Sequence, residues 1–380
     1  MIPLFTAPII IALGSGCSIC TRCLVTLLRA VGLLPKPVPI PVDVDMSGRV
    51  VLVTGANTGI GCRTALNLAR LGAKVIMACR SVERGEEARA KMEAELRCDN
   101  RGHAMPAVSG VRVSGFRTVQ VMKCDLGDLR SIRAFAKAFR EKHGERLDVL
   151  VNNAGLLPGP LMSTTADGLD ITFGVNFIGH FVLTTELLPI IEATHAARVV
   201  CLSSVLHRFG RTEWESSACG HGDHSKLSAY CDSKLAAVLF VKELRRRFVA
   251  SGSSATAFSV NPGAVRSDIW RFLPRLLMAI HNLSMKVLFL DVERGCRVSV
   301  CTSAMPLASL SGSDYYQPYW LPFGCVLPFE TMGPFVGCAP GRPSLPKDEP
   351  TVSGEMWAAC ERIVRAADAA REGTQTSPTS

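Results

Sequence analysis

The sequence predicts an α/β protein with a doubly wound parallel sheet and helices on both faces. The first predicted strand is a run of β-branched residues at positions 50–53, which suits a strand buried on both faces. A turn with glycines at 55, 59 and 61 follows, and then an apolar helical pattern at 65–69. Further short apolar runs alternate with helical patterns along the chain, which is the order that builds parallel sheets.

The turn after the first strand has the composition of a phosphate-binding turn. Strand, glycine turn and helix together direct backbone N–H groups and the positive end of a helix at a phosphate, as in Rossmann-type dinucleotide-binding folds. The spacing here is Gly-x3-Gly-x-Gly, which differs from the Gly-x-Gly-x-x-Gly of the common fingerprint. A tight turn also uses glycine for steric reasons alone, so features further along the chain must decide its meaning.

The remaining elements are predicted in chain order. Strands are expected at residues 74–78, 119–122, 147–151, 198–202 and 255–260. Helices are expected at residues 82–96, 131–143, 169–188 and 228–248. An α/β unit often runs to about 250 residues as one domain, and the apolar content of 48% is ample for a large core. We therefore predict one folded domain at residues 47–312 with a surface insertion at 97–118.

The N-terminal region predicts a membrane anchor, residues 1–34. Residues 2–20 carry no charge, and about 20 apolar residues are enough for one helical bilayer span. Arg22 and Arg29 follow this run, so the folded domain is expected to face the cytosol. A hairpin or a segment lying on the membrane surface is an open alternative. Cys17, Cys20 and Cys23 lie in apolar surroundings and are interpreted as membrane-facing or palmitoylated.

Three further segments flank the predicted folded domain. A proline-rich spacer at 35–46 follows the anchor. A C-terminal extension with a proline- and aromatic-rich segment and a terminal helix is predicted at 313–370, followed by a disordered tail at 371–380. The segment 317–346 could cap the substrate pocket, touch the membrane or be a disordered insertion, and the first two are favoured because disordered segments are normally poor in aromatics.

Composition argues against two classes of function. The net charge is +9, yet basic residues are scattered apart from positions 245–247, which we interpret as a solvated helix end, so no nucleic-acid partner is predicted. The fifteen cysteines are typical of reduced thiols and not of a disulfide framework. His207, His221 and His224, in a predicted loop at 206–226, lack partners at metal spacing and are interpreted as surface residues, so no metal site is predicted.

The ends of the second and third strands carry candidate cofactor contacts. Arg80 follows the second strand, where NAD-binding folds usually place an acidic residue for the ribose 2′-hydroxyl, and an arginine accommodates a 2′-phosphate. Arg80 therefore indicates NADP(H), although it could be merely solvated. Asp125 follows the third strand and could accept from an adenine amino group; alternatively, Asp125 or Asp128 caps the following helix.

Small and amide residues mark the middle of the chain. Asn153, Ala154 and Gly155 follow the fourth strand, and their small size would let the backbone lie close under a cofactor. Asn176 lies in the middle of a predicted apolar helix, where its side chain competes for backbone hydrogen bonds. An asparagine at such a place suggests a function, such as holding a water molecule.

Tyr230 and Lys234 are the candidate acid–base pair. Their spacing of four places both side chains on one face of a helix. A lysine ammonium beside a phenol favours the phenolate and lowers the pKa of the phenol. The tyrosine could then exchange a proton with a carbonyl or alcohol oxygen. Taken alone, Tyr-x3-Lys is a common and mostly incidental pattern.

In combination, these motifs resemble the short-chain dehydrogenase/reductase family over residues 47–310. The motifs are Thr-Gly-x3-Gly-x-Gly at 54–61, Asn-Asn-Ala-Gly at 152–155, Asn176, Ser204, Tyr230 with Lys234, and Pro262-Gly263. Residues 78–81, 175–181, 229–234, 293–295, 311–316 and 355–357 resemble the retinol dehydrogenase branch more closely. That branch is typically anchored to the endoplasmic reticulum, prefers NADP(H) and acts on retinoids or other lipophilic aldehydes and ketones.

The resemblance implies a role for each matching residue. Tyr230 would be the proton donor or acceptor, Lys234 would lower its pKa and hold the nicotinamide ribose, Ser204 would polarise the substrate carbonyl, and Asn176 would order a proton-relay water. Ser204 and Tyr230 are thus also the expected substrate contacts. The expected cofactor contacts are Gly55, Asn57, Thr58, Gly59, Ile60, Gly61, Arg80, Asp125, Leu126, Asn153, Ala154, Gly155, Tyr230, Lys234, Pro262, Gly263 and Val265.

The implied function is an anchored, NADP(H)-dependent oxidoreductase that interconverts a lipophilic alcohol with its aldehyde or ketone. A steroid, a fatty aldehyde or a xenobiotic carbonyl could replace the retinoid, and a nucleotide-binding scaffold without turnover is the alternative of another class. The chain departs from the family at Arg266, where a threonine is common and Ser267 could substitute. The apolar stretch 269–290 occupies the family's substrate-loop position, and its charges argue against a second membrane helix. A homodimer is an open alternative.

Overall fold

The computed structural model describes residues 44–99, 118–157, 164–220, 226–263, 265, 290–310, 312–318, 338–341 and 343–375. The predicted anchor at 1–34 lies outside the described residues. So do most of the insertion predicted at 97–118, nearly all of the apolar stretch 269–290, and the greater part of the segment 317–346. Arg266, Ser267, His221 and His224 also lie outside them.

Within the described residues, the protein is built on an eight-stranded sheet, which confirms the doubly wound α/β prediction. The strands are β1 (Val50–Thr54), β2 (Lys74–Cys79), β3 (Val119–Lys123), β4 (Val149–Asn152), β5 (Arg198–Leu202), β6 (Thr256–Val260), β7 (Tyr315–Pro318) and β8 (Cys338–Pro340). Their order across the sheet is β3-β2-β1-β4-β5-β6-β7-β8. Neighbouring strands from β3 to β7 are parallel, and β8 pairs antiparallel with β7.

Helices cover both faces of this sheet. They are α1 (Gly59–Arg70), α2 (Val82–Asp99), α3 (Leu129–His143), α4 (Ile171–Phe173), α5 (Gly179–Ala193), α6 (Trp214–Cys219), α7 (Lys226–Ala250), α8 (Val292–Gly295), α9 (Arg297–Ala304) and α10 (Glu349–Gln375). Alternate strand residues serve opposite faces. Val50 and Leu52 pack into a core shared with α3, α5, α7 and α10, whereas Val51 and Val53 pack into one shared with α1, α2 and α9.

The predicted helix at 169–188 is interrupted at its centre. Residues Gly174–Ile178 form a π-helical turn between α4 and α5, in which the N–H of Gly179 donates to the carbonyl of Gly174 five residues earlier. Single π turns inside helices occur frequently at functional sites. Asn176, whose mid-helix position was the unusual feature of the sequence, lies inside this turn.

Several predicted boundaries are wrong. Helix α2 continues to Asp99, so the insertion does not begin at 97. The predicted loop at 206–226 contains a 3₁₀ helix, Val205–Phe209, and helix α6. Strand β7 joins the main sheet and α10 packs into its core, so the domain does not end at 312. Helix α10 runs to Gln375, which contradicts a disordered tail starting at 371.

The terminal helix α10 is fastened along its length. Trp357 packs with ring centroids 5.0 Å from Phe181 and 5.5 Å from Phe240. The guanidinium of Arg247 lies 3.9 Å from the centroid of the same indole. Asp368 accepts two hydrogen bonds from Arg133 at 2.7 and 2.8 Å. The terminal helix is therefore an integral layer of the domain.

Within the described ranges, one helical stretch, Ile171–Ala193, is long and apolar enough to cross a membrane. Of its most apolar window, 72% is buried inside the protein. The apolar character of this stretch is explained by its place in the core, where Phe173, Phe177 and Phe181 are almost fully buried.

Candidate functional site

The candidate site lies at the carboxyl ends of β1 and β4. Strand β1 pairs with β2 on one side and with β4 on the other, so the strand order reverses at this point. Crossover connections leave in opposite directions from such a reversal, and the resulting crevice is where open α/β sheets bind ligands. The glycine turn follows β1, and Asn153 to Gly155 follow β4.

The glycine turn is shaped for close backbone approach. Gly55 and Gly59 have φ of 61° and 58°, in the left-handed region that favours glycine. A Cβ on Gly55 would lie 2.9 Å from the Cα of Ala154. A Cβ on Gly61 would collide with the side-chain amide of Asn153. Glycine is therefore required here by the contact between the two loops.

The two loops are joined by hydrogen bonds. The hydroxyl of Thr54, the last residue of β1, accepts from the backbone N–H of Asn153 at 2.9 Å and of Ala154 at 3.0 Å. The side-chain amide of Asn153 donates back to the carbonyl of Thr54 at 2.7 Å. Asn153 is thereby fixed directly beneath the glycine turn. Thr54 is the first residue of the Thr-Gly-x3-Gly-x-Gly motif, and no role for its side chain is predicted from the sequence.

The residues present fit a dinucleotide phosphate. Helix α1 begins at Gly59, with Thr58 as its N-cap, and it has no acidic residue in its first turn. The partial positive charge of the helix end is therefore not offset by a nearby carboxylate. Asn57, Ile60 and Gly61 form the rest of the turn around the start of α1. A Cβ at position 61 would occupy the space required by Asn153.

Arg80 is exposed directly after β2. Among the described residues, none forms a hydrogen bond or ion pair with its guanidinium. The neighbouring acidic residue, Glu83, accepts a hydrogen bond from Ser81 instead. The structure thus places an exposed arginine side chain at the carboxyl end of β2, at the edge of the crevice.

The two aspartates after β3 have different local roles. Asp128 is the N-cap of α3, since its carboxylate accepts from the backbone N–H of Arg130. This agrees with the capping alternative for that residue. Asp125 accepts from the N–H of Gly127 at 3.0 Å and so shapes the loop after the strand. Leu126 is buried between these residues against α5, where its carbonyl faces Gly179.

Asn176 holds the chain that follows β4. Its side-chain oxygen accepts from the N–H of Leu156 at 2.8 Å, and its amide donates to the Leu156 carbonyl at 2.9 Å. A Cβ on Gly155 would lie 3.5 Å from this side-chain oxygen and 3.6 Å from the Nζ of Lys234. Asn176, Gly155 and Lys234 thus meet at one place, although they are separated widely in the sequence.

Tyr230 and Lys234 are both buried on α7. The Nζ of Lys234 donates to the carbonyl of Leu202 at 3.0 Å and lies 5.5 Å from the centroid of the Tyr230 ring. Burial lowers the pKa of Lys234 to about 8. Burial also raises the pKa of Tyr230 to about 12, opposed by a hydrogen bond with Ser204. Desolvation is the largest cause of this shift, so the pKa of Tyr230 is raised overall, in the direction opposite to the one expected from a lysine neighbour.

Ser203 and Ser204, after β5, have separate tasks. The hydroxyl of Ser203 donates to the carbonyl of Lys234 at 2.8 Å and fastens α7 to the sheet. The hydroxyl of Ser204 caps the following 3₁₀ helix by accepting from Leu206, and it is also the hydrogen-bond partner of Tyr230. Ser204 and Tyr230, the two expected substrate contacts, are thus direct neighbours.

The interpretation of His207 as a surface residue is wrong. Its ring is 1% exposed. Its Nδ1 lies 2.7 Å from the carbonyl oxygen of Ser204, and its Nε2 accepts from the backbone N–H of Ser344 at 3.1 Å. Burial lowers the pKa of this imidazole. The ring links the chain at Ser204 to the C-terminal segment, a contact between residues 137 positions apart that no local pattern could reveal.

The last predicted cofactor contacts, Pro262, Gly263 and Val265, follow β6 and lie at the edge of the site. Gly263 has a φ of 83°, and its N–H donates to the side chain of Asn261 at 3.1 Å. Pro262 is half-buried beside it. Val265 is buried in a small cluster that includes Ile60 of the glycine turn. The described site residues therefore surround the carboxyl ends of β1, β4, β5 and β6.

The sheet is open and parallel, its glycine turn lies where the strand order reverses, and a buried tyrosine–lysine pair lies beside that turn. Together these features define a class of dinucleotide-binding oxidoreductases. The sequence profile of the family described as short chain dehydrogenase matches residues 49–275. The chain belongs to the short-chain dehydrogenase family. Members of this family are oxidoreductases that bind a nicotinamide dinucleotide.

Several of the most similar relatives are retinol dehydrogenases. The chain is 41% identical over 276 residues to retinol dehydrogenase 11 of Mus musculus, covering 71% of this chain and 78% of the relative. It is 38% identical over 263 residues to retinol dehydrogenase 14 of Homo sapiens, covering 69% and 75% of the two chains. These similarities agree with the resemblance found in the motifs.

Solved structures share the fold. An uncharacterized protein from Mycobacterium paratuberculosis matches with a TM-score of 0.62 and 30% identity, covering 85% of this chain and 96% of that one. Pseudomonas aeruginosa RhlG, in an NADP active-site complex, matches with a TM-score of 0.53 and 22% identity, covering 71% and 94%. At that identity the second similarity concerns the fold alone.

Proposed function

We propose that this protein interconverts a lipophilic alcohol and its aldehyde or ketone with NADP(H). The observation that carries this proposal is the meeting of Tyr230, Ser204, Lys234 and Asn176 beside the glycine turn. When bound, the nicotinamide cofactor supplies or accepts the hydride. The protein then has to position the carbonyl and manage one proton.

Tyr230 is the proposed proton donor in reduction. Because burial raises its pKa to about 12, the phenol keeps its proton at neutral pH and can pass it to the carbonyl oxygen as that oxygen becomes an alcohol. The hydroxyl of Ser204 would hydrogen-bond the same oxygen while negative charge develops on it. Lys234 would hold the nicotinamide ribose and stabilise the phenolate that remains.

Asn176 is proposed to act on the proton path. Its side-chain amide is already engaged with the backbone of Leu156. Asn176 would therefore act on a relay water indirectly, by keeping the loop after β4 in place. The water itself would be held by the shape of the π turn and by the neighbouring Lys234. Asn153, Ala154 and Gly155 would lie beneath the cofactor.

The preference for NADP(H) is proposed from charge at the end of β2. Arg80 would pair with the 2′-phosphate, and the usual acidic partner of a ribose 2′-hydroxyl is missing at this place. Asp125 and Leu126 would contact the adenine side. Gly55, Asn57, Thr58, Gly59, Ile60 and Gly61 would surround the pyrophosphate, while Pro262, Gly263 and Val265 would lie near the nicotinamide.

A retinoid is the first candidate substrate, because the curated relatives are named retinol dehydrogenases. Steroids, fatty aldehydes and xenobiotic carbonyls remain candidates of the same chemistry.

We further propose that residues 1–34 attach the protein to a membrane, the endoplasmic reticulum, with the catalytic domain facing the cytosol. A homodimer is a further hypothesis, and pairing through α7 would have to accommodate α10, which already packs along that helix.

The test mixes the full chain in detergent with NADPH or NADH and a panel of retinal, fatty aldehydes and steroid ketones. The oxidation of the cofactor is the signal that is measured. We expect one lipophilic carbonyl to be reduced with NADPH, and Tyr230→Phe to lower kcat by at least about 100-fold while still binding NADPH. Arg80→Ala should weaken NADPH binding by about 10-fold or more and leave NADH unaffected, because it removes a charge-assisted hydrogen bond.

Two controls separate the alternatives. Arg84→Ala changes another exposed arginine, one turn into α2, and should leave the NADPH/NADH ratio unchanged. Equal turnover with NADH in the wild type would refute the proposed role of Arg80. NADPH binding without turnover across the whole panel would favour the nucleotide-binding scaffold over the enzyme.

A further inference from the structure

His180 connects three segments of the candidate cofactor site through a single buried ring. It is the second residue of α5 and is 5% exposed. Its Nδ1 lies 3.0 Å from the carbonyl oxygen of Asn176, inside the π turn. Its Nε2 lies 2.8 Å from the hydroxyl oxygen of Thr54, at the end of β1.

The partners determine where the protons are. A carbonyl oxygen can only accept, so the Nδ1 of His180 must carry a hydrogen. Burial, with the charge of Lys234 nearby, lowers the pKa of His180 to about 4, so the ring is neutral at physiological pH. A neutral ring with hydrogen on Nδ1 leaves Nε2 as a bare acceptor. The hydroxyl of Thr54 must therefore donate to Nε2.

This assignment completes the hydrogen bonding of Thr54. A hydroxyl has one hydrogen and two lone pairs. The hydrogen goes to His180, and the lone pairs accept the N–H groups of Asn153 at 2.9 Å and Ala154 at 3.0 Å. The longer contact of 3.3 Å from the same hydroxyl oxygen to the carbonyl of Val151 is then not the main destination of the hydrogen.

We propose that His180 is a positioning residue of the dinucleotide site: as a neutral imidazole with its hydrogen on Nδ1, it fixes the direction of the Thr54 hydroxyl and so holds Asn153 and Ala154 under the glycine turn. The inference rests on the proposed cofactor site. The same ring holds the carbonyl of Asn176, whose side chain anchors Leu156. One imidazole thus sets the relative positions of the glycine turn, the loop after β4 and the π turn.

Three substitutions at position 180 separate the two contacts of the ring. In His180→Gln the side-chain oxygen can accept from Thr54 near the place of Nε2, while the donor to Asn176 is lost. In His180→Asn the amide nitrogen can donate to Asn176 near the place of Nδ1, but the side chain is too short for Thr54. His180→Leu removes both contacts and keeps an apolar volume.

The expected result is an order of NADPH affinities. We expect the dissociation constant of NADPH to rise about 10-fold in His180→Leu and His180→Asn, and by less than about 3-fold in His180→Gln, measured by nicotinamide fluorescence well below the unfolding temperature. Equal weakening by the glutamine and asparagine variants, or wild-type affinity in the leucine variant, would overturn the proposal. A purely structural role would lower the unfolding temperature without this order.

Thr54 gives a second, independent series. Thr54→Ser keeps the hydroxyl and should bind NADPH as the wild type does, whereas Thr54→Val leaves two backbone N–H groups unpaired and should weaken NADPH binding about 10-fold. Thr194→Val is the matched control. The buried Thr194 hydroxyl also accepts a backbone N–H, from Leu147, but at the opposite end of the sheet, so its loss should lower stability and leave NADPH affinity unchanged.

A spectroscopic readout keeps the inference separate from the proposed function. In protein with ¹⁵N-labelled histidine, the resonances missing from His180→Gln identify His180. They should be those of a neutral ring protonated at Nδ1, and they should not change between pH 8 and pH 5.5. A ring protonated at Nε2, or one that titrates in this range, would refute the assignment even if NADPH binds. If NADPH does not bind to the wild type, the proposed function fails, and the resonances still decide the tautomer.

Discussion

At the scale of single residues, burial controls the acid–base pair more strongly than charge does. The pKa of Tyr230 is raised to about 12 and that of Lys234 is lowered to about 8, both chiefly by desolvation. For Lys234, the unfolded chain binds more protons than the folded one between about pH 8 and 10.5. The buried Lys234 therefore lowers the free energy of unfolding below about pH 8, and this loss of stability disappears as the pH rises to about 10.5.

The pKa of Lys234 predicts the basic limb of the pH profile. If the ammonium form holds the cofactor, kcat/KM for reduction should fall above about pH 8, because the lysine loses its proton there while Tyr230 remains protonated. In Lys234→Arg, which cannot be deprotonated in this range, the remaining activity should be flat to about pH 10. A profile of wild-type kcat/KM that stays level to pH 10, or an unchanged decline in the arginine variant, would contradict this assignment.

At the scale of elements, the π turn and the start of α5 depend on close packing against the loop after β3. A Cβ on Gly179 would collide with the backbone carbonyl of Leu126, which cannot move as a flexible side-chain end can. The absence of a side chain at this position lets α5 approach the sheet and brings His180 within reach of Thr54.

We therefore expect Gly179→Ala to lower the free energy of unfolding by about 1–3 kcal/mol, because overpacking forces a backbone shift. Urea unfolding followed by circular dichroism measures this change. Gly354→Ala in α10 is the matched control, since a Cβ there meets nothing within 4 Å. It should be neutral or stabilise by about 0.5–1 kcal/mol, as expected for alanine in a helix. Similar losses in the two variants would show that packing at Leu126 is not the cause.

At the scale of the whole molecule, residues far apart in the chain build one core. Helix α10 covers α5 and α7 with Trp357, whose ring lies 5.0 Å from Phe181 and 5.5 Å from Phe240. Helix α7 also carries Tyr230 and Lys234. The terminal helix therefore supports the element that holds the candidate acid–base pair.

Trp357→Ala should lower the free energy of unfolding by about 3–5 kcal/mol, because it removes a large buried ring and leaves a cavity. Arg362→Ala, on the same helix, removes an ion pair with Glu215 in which both side chains are more than half exposed, and it should cost at most about 1 kcal/mol. Urea unfolding of both variants tests this. A small loss for Trp357→Ala would mean that α10 contributes little to the fold.

Local patterns in the sequence determined much of this protein. The β-branched runs predicted β1 to β6, because buried parallel strands must be apolar on both faces. The glycines of the first turn, Asn176 and the Tyr230–Lys234 pair were identified from residue type and spacing, and Ser204 from the resemblance to a known family. These signals are local, since each depends on the conformation or periodicity of a few neighbouring residues.

Tertiary structure decided what local patterns cannot encode. Desolvation raised the pKa of Tyr230, and burial of a side chain depends on the whole fold. His207 became a buried link to Ser344, and His180 became a bridge between β1 and the π turn, through contacts across 137 and 126 positions. Such contacts arise only when the strand order brings separate loops to one edge of the sheet. The sequence by itself therefore determined most of the strands and helices and the candidate reacting groups, and the packing of those elements decided the protonation and the hydrogen-bond partners of those groups.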